Sequence, residues 1–333
     1  MAGSGRPLTV ADRSGPVAPG LRGTARHRRD LLAAGLGEVG YDNGLRAAVL
    51  ASLPERFDDE DFERALARIP AERLADGAAR ETVEQLRDAI GASYTVSFPA
   101  EVGLDQRVLW PATPSERNGM EDARFVRFSG DDGTAVYLAT YTAYDGRHIS
   151  ARLLRSHDLL HYDIAPLGGP AVRSKGMALF PRTVHGRHLA LSRSDGETIG
   201  LTARDENHQW QTPVPLHPPS LSWGLVQVGN CGSPLETKAG WLVLTHGVGP
   251  MRRYAIGAML LDLHRPEQVI AILPGTLLAP DENDRDGYVP NVVYSCGALL
   301  HHGTLWVPYG ASDTRVGFAY IALDTVMSAL RAT

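Results

Sequence analysis

Apolar side chains recur at steps of three and four residues between positions 24 and 92. The segments RHRRDLLAAGL, NGLRAAVLASL, DDEDFERALARI and RETVEQLRDAI all follow this spacing. A repeat of this kind places the apolar side chains on one face of a helix. Asp59 and Asp61 begin one segment, where acidic residues favour the positive end of the helix dipole. The pattern predicts a helical segment over residues 24–92, after a flexible tail over residues 1–23.

From Tyr94 onward the apolar runs become short and rich in β-branched and aromatic residues. The runs YTVSF, AVYLATYT, WLVLTHGV and TLWVPYG are separated by turn sequences such as DDG, HGR and KAG. Short runs of this composition between such turns are typical of β-strands. Residues 93–330 are therefore predicted to form a mainly β domain.

A loose internal repeat runs through the β half. Its four phrases cover residues 148–164, 198–214, 254–270 and 317–330, and each joins a strand, an acidic turn and a second apolar segment. Their spacing of roughly 50 to 60 residues is close to that of propeller blades built from four strands. A β-sandwich produces two such echoes more readily than four, so the repeat favours a β-propeller.

Composition and charge narrow the classes of function. The 333 residues are 43% hydrophobic and 21% charged, as in globular proteins, and a net charge of −5 argues against binding nucleic acid or an acidic membrane. The chain has no apolar run long enough to span a membrane and begins without a secretory signal, so we expect a cytoplasmic protein. Cys231 and Cys296 follow no metal-binding spacing, and we expect neither a metal nor a cofactor.

Polar residues interrupt nearly every blade-sized segment. Taken singly, each cluster has a structural explanation as a turn or an ion pair; together they suit an axial pocket lined by several blades. Carboxylates, cations, amides and aromatic rings in one channel match the hydroxyls and faces of a sugar, and glycosyl transfer needs a carboxylic acid as proton donor. The clusters are Glu121, Asp122 and Arg124; Lys175; Arg193, Asp195 and Glu197; Asn230 and Glu236; His246, Arg252, Arg253 and Tyr254; Tyr288 and Asn291; and Asp313.

Seven phrases identify a family resemblance over roughly residues 94–325. GMEDARFVRF, YLATYTAYDG, KGMALFPR, GWLVLTHGV, GAMLLDL, GYVPNVVYSCG and YGASD occur in the order typical of glycoside hydrolase family 130. The chain therefore resembles the β-mannoside phosphorylases and β-mannosidases. This resemblance implies a five-bladed β-propeller, in agreement with the internal repeat.

Carried over onto the matching residues, the resemblance implies that Asp122 is the general acid. It acts in this family through a sugar hydroxyl, while Glu121 supports it and Arg124 holds the pair of carboxylates. Lys175, Arg193, His246 and Tyr254 fall where phosphorylases bind phosphate, the co-substrate. Lys175 stands where an arginine is frequent, and a lysine grips phosphate with less direction. The predicted substrate contacts are Arg124, Tyr141, Asn291 and Asp313.

The nucleophile separates three predicted functions. Phosphate as nucleophile gives a phosphorylase that cleaves β-linked mannooligosaccharides with inversion, which the basic residues favour. Water gives a β-mannosidase, for which Glu236 and Glu197 are the carboxylates available to activate water. A carbohydrate-binding propeller without activity is the third reading.

One departure from the family concerns the first blade. Relatives carry a complete blade before the GMEDAR phrase, whereas residues 24–92 are predicted to be helical here. Either an upstream blade is lost and the propeller is incomplete, or the helical segment fills the gap. Open sheet edges promote association, so we expect instability or a homo-oligomer if the blade is not replaced.

Overall fold

A computed structural model describes residues 3–4, 20–21, 27–35 and 43–333. The predicted tail over residues 1–23 lies outside this range except for two short strands. Among the described residues, no helix is long and apolar enough to cross a membrane.

Five helices precede the main β region in the described part of the chain, and their apolar faces share one core. Leu45, Phe57 and Leu86 are fully buried in this core. The third helix starts with a capping box: Asp58 accepts from the Asp61 backbone N–H, and Asp61 accepts from that of Asp58. The helices are α1 (Arg29–Gly35), α2 (Asn43–Ser52), α3 (Asp59–Ala67), α4 (Ala71–Leu74) and α5 (Gly77–Gly91), and α6 (Leu323–Ala329) follows near the C-terminus.

The strands are numbered along the chain. The first nine are β1 (Gly3–Ser4), β2 (Gly20–Leu21), β3 (His27–Arg28), β4 (Arg56–Phe57), β5 (Tyr94–Ser97), β6 (Gly119–Ser129), β7 (Ala135–Tyr144), β8 (Ile149–Ser156) and β9 (His161–Pro166). The next nine are β10 (Ala178–Leu179), β11 (Leu189–Ser192), β12 (Ile199–Ala203), β13 (Val214–His217), β14 (Gln227–Asn230), β15 (Leu235–Thr237), β16 (Gly240–Val248), β17 (Tyr254–Leu261) and β18 (Val269–Ile272). The last five are β19 (Val293–Tyr294), β20 (Leu299–His301), β21 (Thr304–Ala311), β22 (Arg315–Ala322) and β23 (Arg331–Ala332).

Four antiparallel sheets form a propeller-like arrangement. Their strand orders are β2-β5-β9-β8-β7-β6, β10-β11-β12-β13, β14-β16-β17-β18-β23 and β1-β22-β21-β19, with β15 on β16 and β20 on β21. Apolar cores fill the spaces between consecutive sheets, as in Val126 with Leu179, Leu191 with Val243, and Leu244 with Val307. The mainly β prediction is therefore confirmed, whereas a fifth blade is not: apart from these sheets, the described strands form only the pair β3–β4.

The edge strands β6, β10, β14 and β19 approach one another around a common axis. Asn230 at the end of β14 donates to the carbonyl of Gly176, which precedes β10. Arg124 on β6 donates to the Tyr294 hydroxyl on β19. Residues far apart in sequence thus meet at one end of these four strands.

The outer face of the last sheet remains apolar and exposed. Cross-strand pairing aligns Leu299 with Trp306 and Trp306 with Tyr320, and Phe318 and Val316 continue the same face. All five side chains are exposed. Among the described residues, nothing covers this apolar face.

Candidate active site

A β-bulge in β6 sets the position of Asp122. Glu121 pairs with Thr142 and Arg124 pairs with Thr140, so Asp122 and Ala123 together oppose the single residue Tyr141. Asp122 has a φ of 58°, in the left-handed region that few residues other than glycine adopt. Bulges redirect side chains next to functional sites, and this one turns the Asp122 carboxylate toward Tyr294 and Cys296.

Arg124 contacts the bulge that carries Asp122 from the buried side of the strand. Its guanidinium donates to the Asp122 carbonyl at 2.7 Å and to the Tyr294 hydroxyl at 2.6 Å, and lies 3.5 Å from Asp122 Oδ2. Only 1% of Arg124 is exposed. Burial opposes its charge, but Tyr294, Cys296 and Asp122 together keep the pKa of Arg124 above its ordinary value. A permanent cation therefore lies behind the carboxylate.

Two side chains that the sequence analysis did not assign to the site contact the Asp122 carboxylate. The Tyr294 hydroxyl donates to Oδ2 at 3.2 Å, and the Cys296 thiol lies 3.6 Å from Oδ1. Burial, together with Asp122, raises the pKa of Cys296 to about 12, so its sulfur stays a neutral thiol. Both residues lie within the phrase GYVPNVVYSCG, which was the available signal.

His246 and Arg193 form the second half of the site. The Arg193 guanidinium donates to His246 Nε2 at 3.1 Å, and the His246 ring lies 4.8 Å from the Tyr294 ring between centroids. Burial, with help from Arg193 and Arg124, lowers the pKa of His246 far below its ordinary value, so the ring is neutral. Since Nε2 accepts from Arg193, the ring proton is on Nδ1. Gly229 permits this approach, because an added Cβ there would lie 2.4 Å from His246 Cε1.

Several buried polar atoms of this region lack a partner among the described residues. They include two guanidinium donors, Arg193 Nε and Arg124 Nε, and the amide oxygen of Asn230. Buried donors are nearly always hydrogen-bonded in folded proteins. An unpaired donor on the Arg193 guanidinium favours an anionic ligand at this position.

Lys175 pairs with Glu121 through a short contact between Nζ and Oε2. Both side chains are about one third exposed, at 36% and 37%. The predicted phosphate ligand Lys175 is thus linked to the predicted supporting carboxylate, one residue from Asp122. Its positive charge is already balanced, which leaves Arg193 as the principal uncompensated cation in the described site.

Tyr254 begins β17, whereas Asn291 and Asp313 lie on loops next to strands of the last sheet. The Tyr254 backbone N–H donates to the Asn291 carbonyl at 3.0 Å. Tyr254 opposes Val248 in the β16–β17 pair, and Val248 shares its face of β16 with His246, so the Tyr254 and His246 side chains project from the same face. Asp313 is exposed in the turn between β21 and β22. Their predicted roles in ligand binding stay predictions.

Glu236 and Tyr141 are engaged elsewhere. Glu236 forms a two-pronged ion pair with Arg182, at 2.9 and 2.6 Å, which lowers the pKa of this carboxyl. The Tyr141 hydroxyl donates to the buried Glu116 at 2.5 Å, and only 4% of Tyr141 is exposed. These locations give no support to Glu236 as a base or to Tyr141 as a substrate contact, because the polar atoms of both already serve internal partners.

The structure therefore connects four predicted residues through Tyr294, and the Glu121–Lys175 pair adjoins them along the chain, which makes a cluster of six. They are Glu121, Asp122, Arg124, Lys175, Arg193 and His246. The Asp122 carboxyl group thus lies beside the buried Arg124 cation and the Arg193–His246 pair. No group of three or more His, Cys, Asp or Glu side chains able to hold a metal occurs in the described ranges.

The buried neutral His246 predicts a loss of stability in mild acid. In the unfolded chain a histidine titrates near pH 6.5, whereas the folded pKa is far lower. Below about pH 6.5 the unfolded chain binds a proton that the folded chain does not. The free energy of unfolding therefore decreases as the pH decreases, by up to about 1.4 kcal/mol per pH unit. Urea unfolding between pH 7.5 and 5 measures this slope. His246→Gln should show a smaller slope; an identical slope would contradict the assignment.

Comparison with known proteins places the chain among carbohydrate-active enzymes. The family model Glyco_hydro_130, described as beta-1,4-mannooligosaccharide phosphorylase, matches residues 86–332. A 1,2-beta-oligomannan phosphorylase of Thermoanaerobacter sp. (strain X514) is 32% identical over 67% of this chain and 75% of its own length. A beta-1,2-mannobiose phosphorylase of Listeria innocua serovar 6a is 25% identical over 83% of this chain and 76% of its own length.

Solved structures give the same fold. A beta-1,2-mannobiose phosphorylase from Listeria innocua, in complex with beta-1,2-mannobiose, superimposes with a TM-score of 0.59 at 24% identity. The match covers 71% of this chain and 65% of that one, just under two thirds of its length. A putative glycoside hydrolase from Bacteroides ovatus gives a TM-score of 0.53 at 19% identity, over 69% of this chain and 74% of its own.

Proposed function

The chain belongs to glycoside hydrolase family 130, and on that premise we propose that it cleaves β-linked mannooligosaccharides by phosphorolysis, with inversion, using Asp122 as general acid. The relatives described above are named for β-1,2-linked substrates, so β-1,2-mannobiose is the first substrate to test. Inorganic phosphate is the co-substrate.

One observation carries the choice of phosphate as nucleophile. The Arg193 guanidinium leaves its Nε donor without a partner, and it adjoins the Tyr294–Asp122 contact through His246. A phosphate oxyanion would accept from such a donor, and Arg193 would supply the charge. His246 is neutral and adds no second cation, while its Nε2 accepts from Arg193 and holds that guanidinium in place.

The reaction then proceeds as a single displacement. A phosphate oxygen attacks C1 of the mannosyl unit as the bond from C1 to the glycosidic oxygen breaks. Asp122 gives its proton, through a sugar hydroxyl, to the departing oxygen and becomes a carboxylate beside Arg124. Inversion at C1 converts the β-mannoside into α-mannose 1-phosphate and releases the shortened sugar.

The hydrolytic alternative needs a second carboxylate to activate water. Glu236 is held by Arg182, and Glu197 has an exposed position beside the turn formed by Asp195. Among the described contacts, neither glutamate touches the Asp122 cluster, and this supports phosphorolysis over hydrolysis.

Product analysis tests the proposal directly. With β-1,2-mannobiose and phosphate we expect mannose 1-phosphate and mannose in equal amounts, and turnover at least about 100-fold slower without phosphate. Free mannose alone, at a rate independent of phosphate, would establish the hydrolase. Binding by calorimetry without turnover of β-1,2- or β-1,4-mannobiose would establish the carbohydrate-binding propeller. A cytoplasmic location, the need for no cofactor and assembly into a homo-oligomer stay predictions.

A further inference from the structure

We infer that Tyr294 is a positioning residue that fixes the general acid and decides which oxygen of Asp122 carries the transferred proton. The inference rests on the proposed function and concerns a side chain outside the residue set that the family resemblance supplied. Tyr294 touches both halves of the cluster: its hydroxyl contacts Arg124 and Asp122, and its ring packs on His246.

The direction of the hydrogen bonds at Tyr294 follows from the partners. A guanidinium can only donate, so the hydroxyl accepts from Arg124 Nη2 at 2.6 Å. The single hydroxyl proton is then directed to Asp122 Oδ2, at 3.2 Å. Burial raises the pKa of Tyr294 well above its ordinary value, so the hydroxyl remains a donor at any working pH.

The two oxygens of Asp122 therefore differ. Oδ2 receives the Tyr294 hydroxyl and lies 3.5 Å from the Arg124 guanidinium, so donors surround it. Oδ1 meets only the Cys296 thiol at 3.6 Å among the described contacts, and a thiol is a weak partner. The carboxyl proton is consequently carried on Oδ1. When it leaves, the electron pair stays on the carboxylate, where Tyr294 and Arg124 stabilise the negative charge on Oδ2.

The ring of Tyr294 has a separate task. Its centroid lies 4.8 Å from that of His246 at an angle of 59°, and His246 in turn accepts from Arg193. The ring thus supports the anion-holding pair while the hydroxyl supports the acid. Removing the hydroxyl alone and removing the ring should therefore change different kinetic constants.

Tyr294→Phe keeps the ring and deletes the hydroxyl. We expect kcat for β-1,2-mannobiose to fall about 10- to 100-fold, since a hydrogen bond to a charged group is lost, with KM for phosphate changed less than threefold. Tyr294→Leu also removes the ring and should raise KM for phosphate as well. Tyr162→Phe is the matched control, because its buried hydroxyl donates to the Leu159 carbonyl away from the cluster.

An activated substrate separates positioning from a structural role. An aryl β-mannoside with a nitrophenolate leaving group needs no proton donor, so Tyr294→Phe should recover at least half of the wild-type rate on it. Equal losses on both substrates would overturn the inference, as would a kcat within twofold of wild type. Thermal unfolding of Tyr294→Phe checks that the variant folds, so that a loss confined to mannobiose is assigned to the missing hydroxyl. Activity retained by Asp122→Asn would instead refute the proposed acid itself.

Discussion

Asp122→Asn is expected to lower the rate of mannose 1-phosphate release from β-1,2-mannobiose by about 10²- to 10⁴-fold, the usual contribution of a general acid. The amide cannot give up a proton to the leaving oxygen. Asparagine matches aspartate in size and tolerates the left-handed φ of 58° at this position, so the bulge should persist. Initial rates at saturating phosphate measure the effect, and thermal unfolding checks the fold.

Asp132→Asn provides the control for this substitution. Asp132 is also a surface-accessible aspartate on the first sheet, but it only closes a turn with Thr134. Its rate should stay within twofold of wild type. Recovery of Asp122→Asn on the aryl mannoside would assign the loss to proton donation. A variant within tenfold of wild type on mannobiose would refute Asp122 as the acid.

Arg124→Met is expected to lower the free energy of unfolding by about 3 kcal/mol, because removing a buried charged donor leaves its hydrogen-bond acceptors unsatisfied. Methionine retains the apolar stem in a site where only 1% of Arg124 is exposed. The Asp122 carbonyl and the Tyr294 hydroxyl lose their donor. Urea unfolding at pH 7.5 measures the change, and phosphorolysis should be lost in parallel.

Arg127→Met is the matched control for Arg124→Met. Arg127 follows on the same strand with an exposed side chain, and its replacement should change stability by less than about 0.5 kcal/mol. A double-mutant cycle sharpens the test. Arg124→Met should lower the free energy of unfolding less in the Asp122→Asn background than in the wild type. Strict additivity would mean that Arg124 stabilises the fold without acting on the carboxylate.

The sequence located most residues of the cluster but not the contacts between them. Alternating apolar residues and glycine turns were enough for the mainly β fold, and the GMEDAR phrase located Asp122 and Arg124. Tyr294 was missed because a tyrosine in the run VVYSC looks like a core residue, and its partner Arg124 is 170 positions away. Long-range pairing of this kind leaves no periodic signal in the chain.

Internal hydrogen bonding explains where the predicted site residues do not meet. Tyr141 follows the strand pattern of AVYLATYT, but its neighbour in space is Glu116, which is fully buried and accepts from both Tyr141 and Tyr94. The sequence made Glu236 a candidate for catalysis, but both of its carboxylate oxygens accept from Arg182, 54 residues earlier. Whether a polar side chain faces a channel or an internal partner depends on packing between sheets, which local sequence does not encode.

The two-for-one pairing at Asp122 also makes the length of this segment as important as its composition. Side chains of a strand change faces with every residue, and here one additional residue is absorbed between Glu121 and Arg124. Deleting Ala123 would place Asp122 opposite Tyr141 as an ordinary ladder residue, while Glu121 and Arg124 kept Thr142 and Thr140 as partners. The proton donor would lose its position although every chemical group of the cluster would still be present. Homologous chains should therefore vary in side chains around this point more freely than in the number of residues between Gly119 and Arg124.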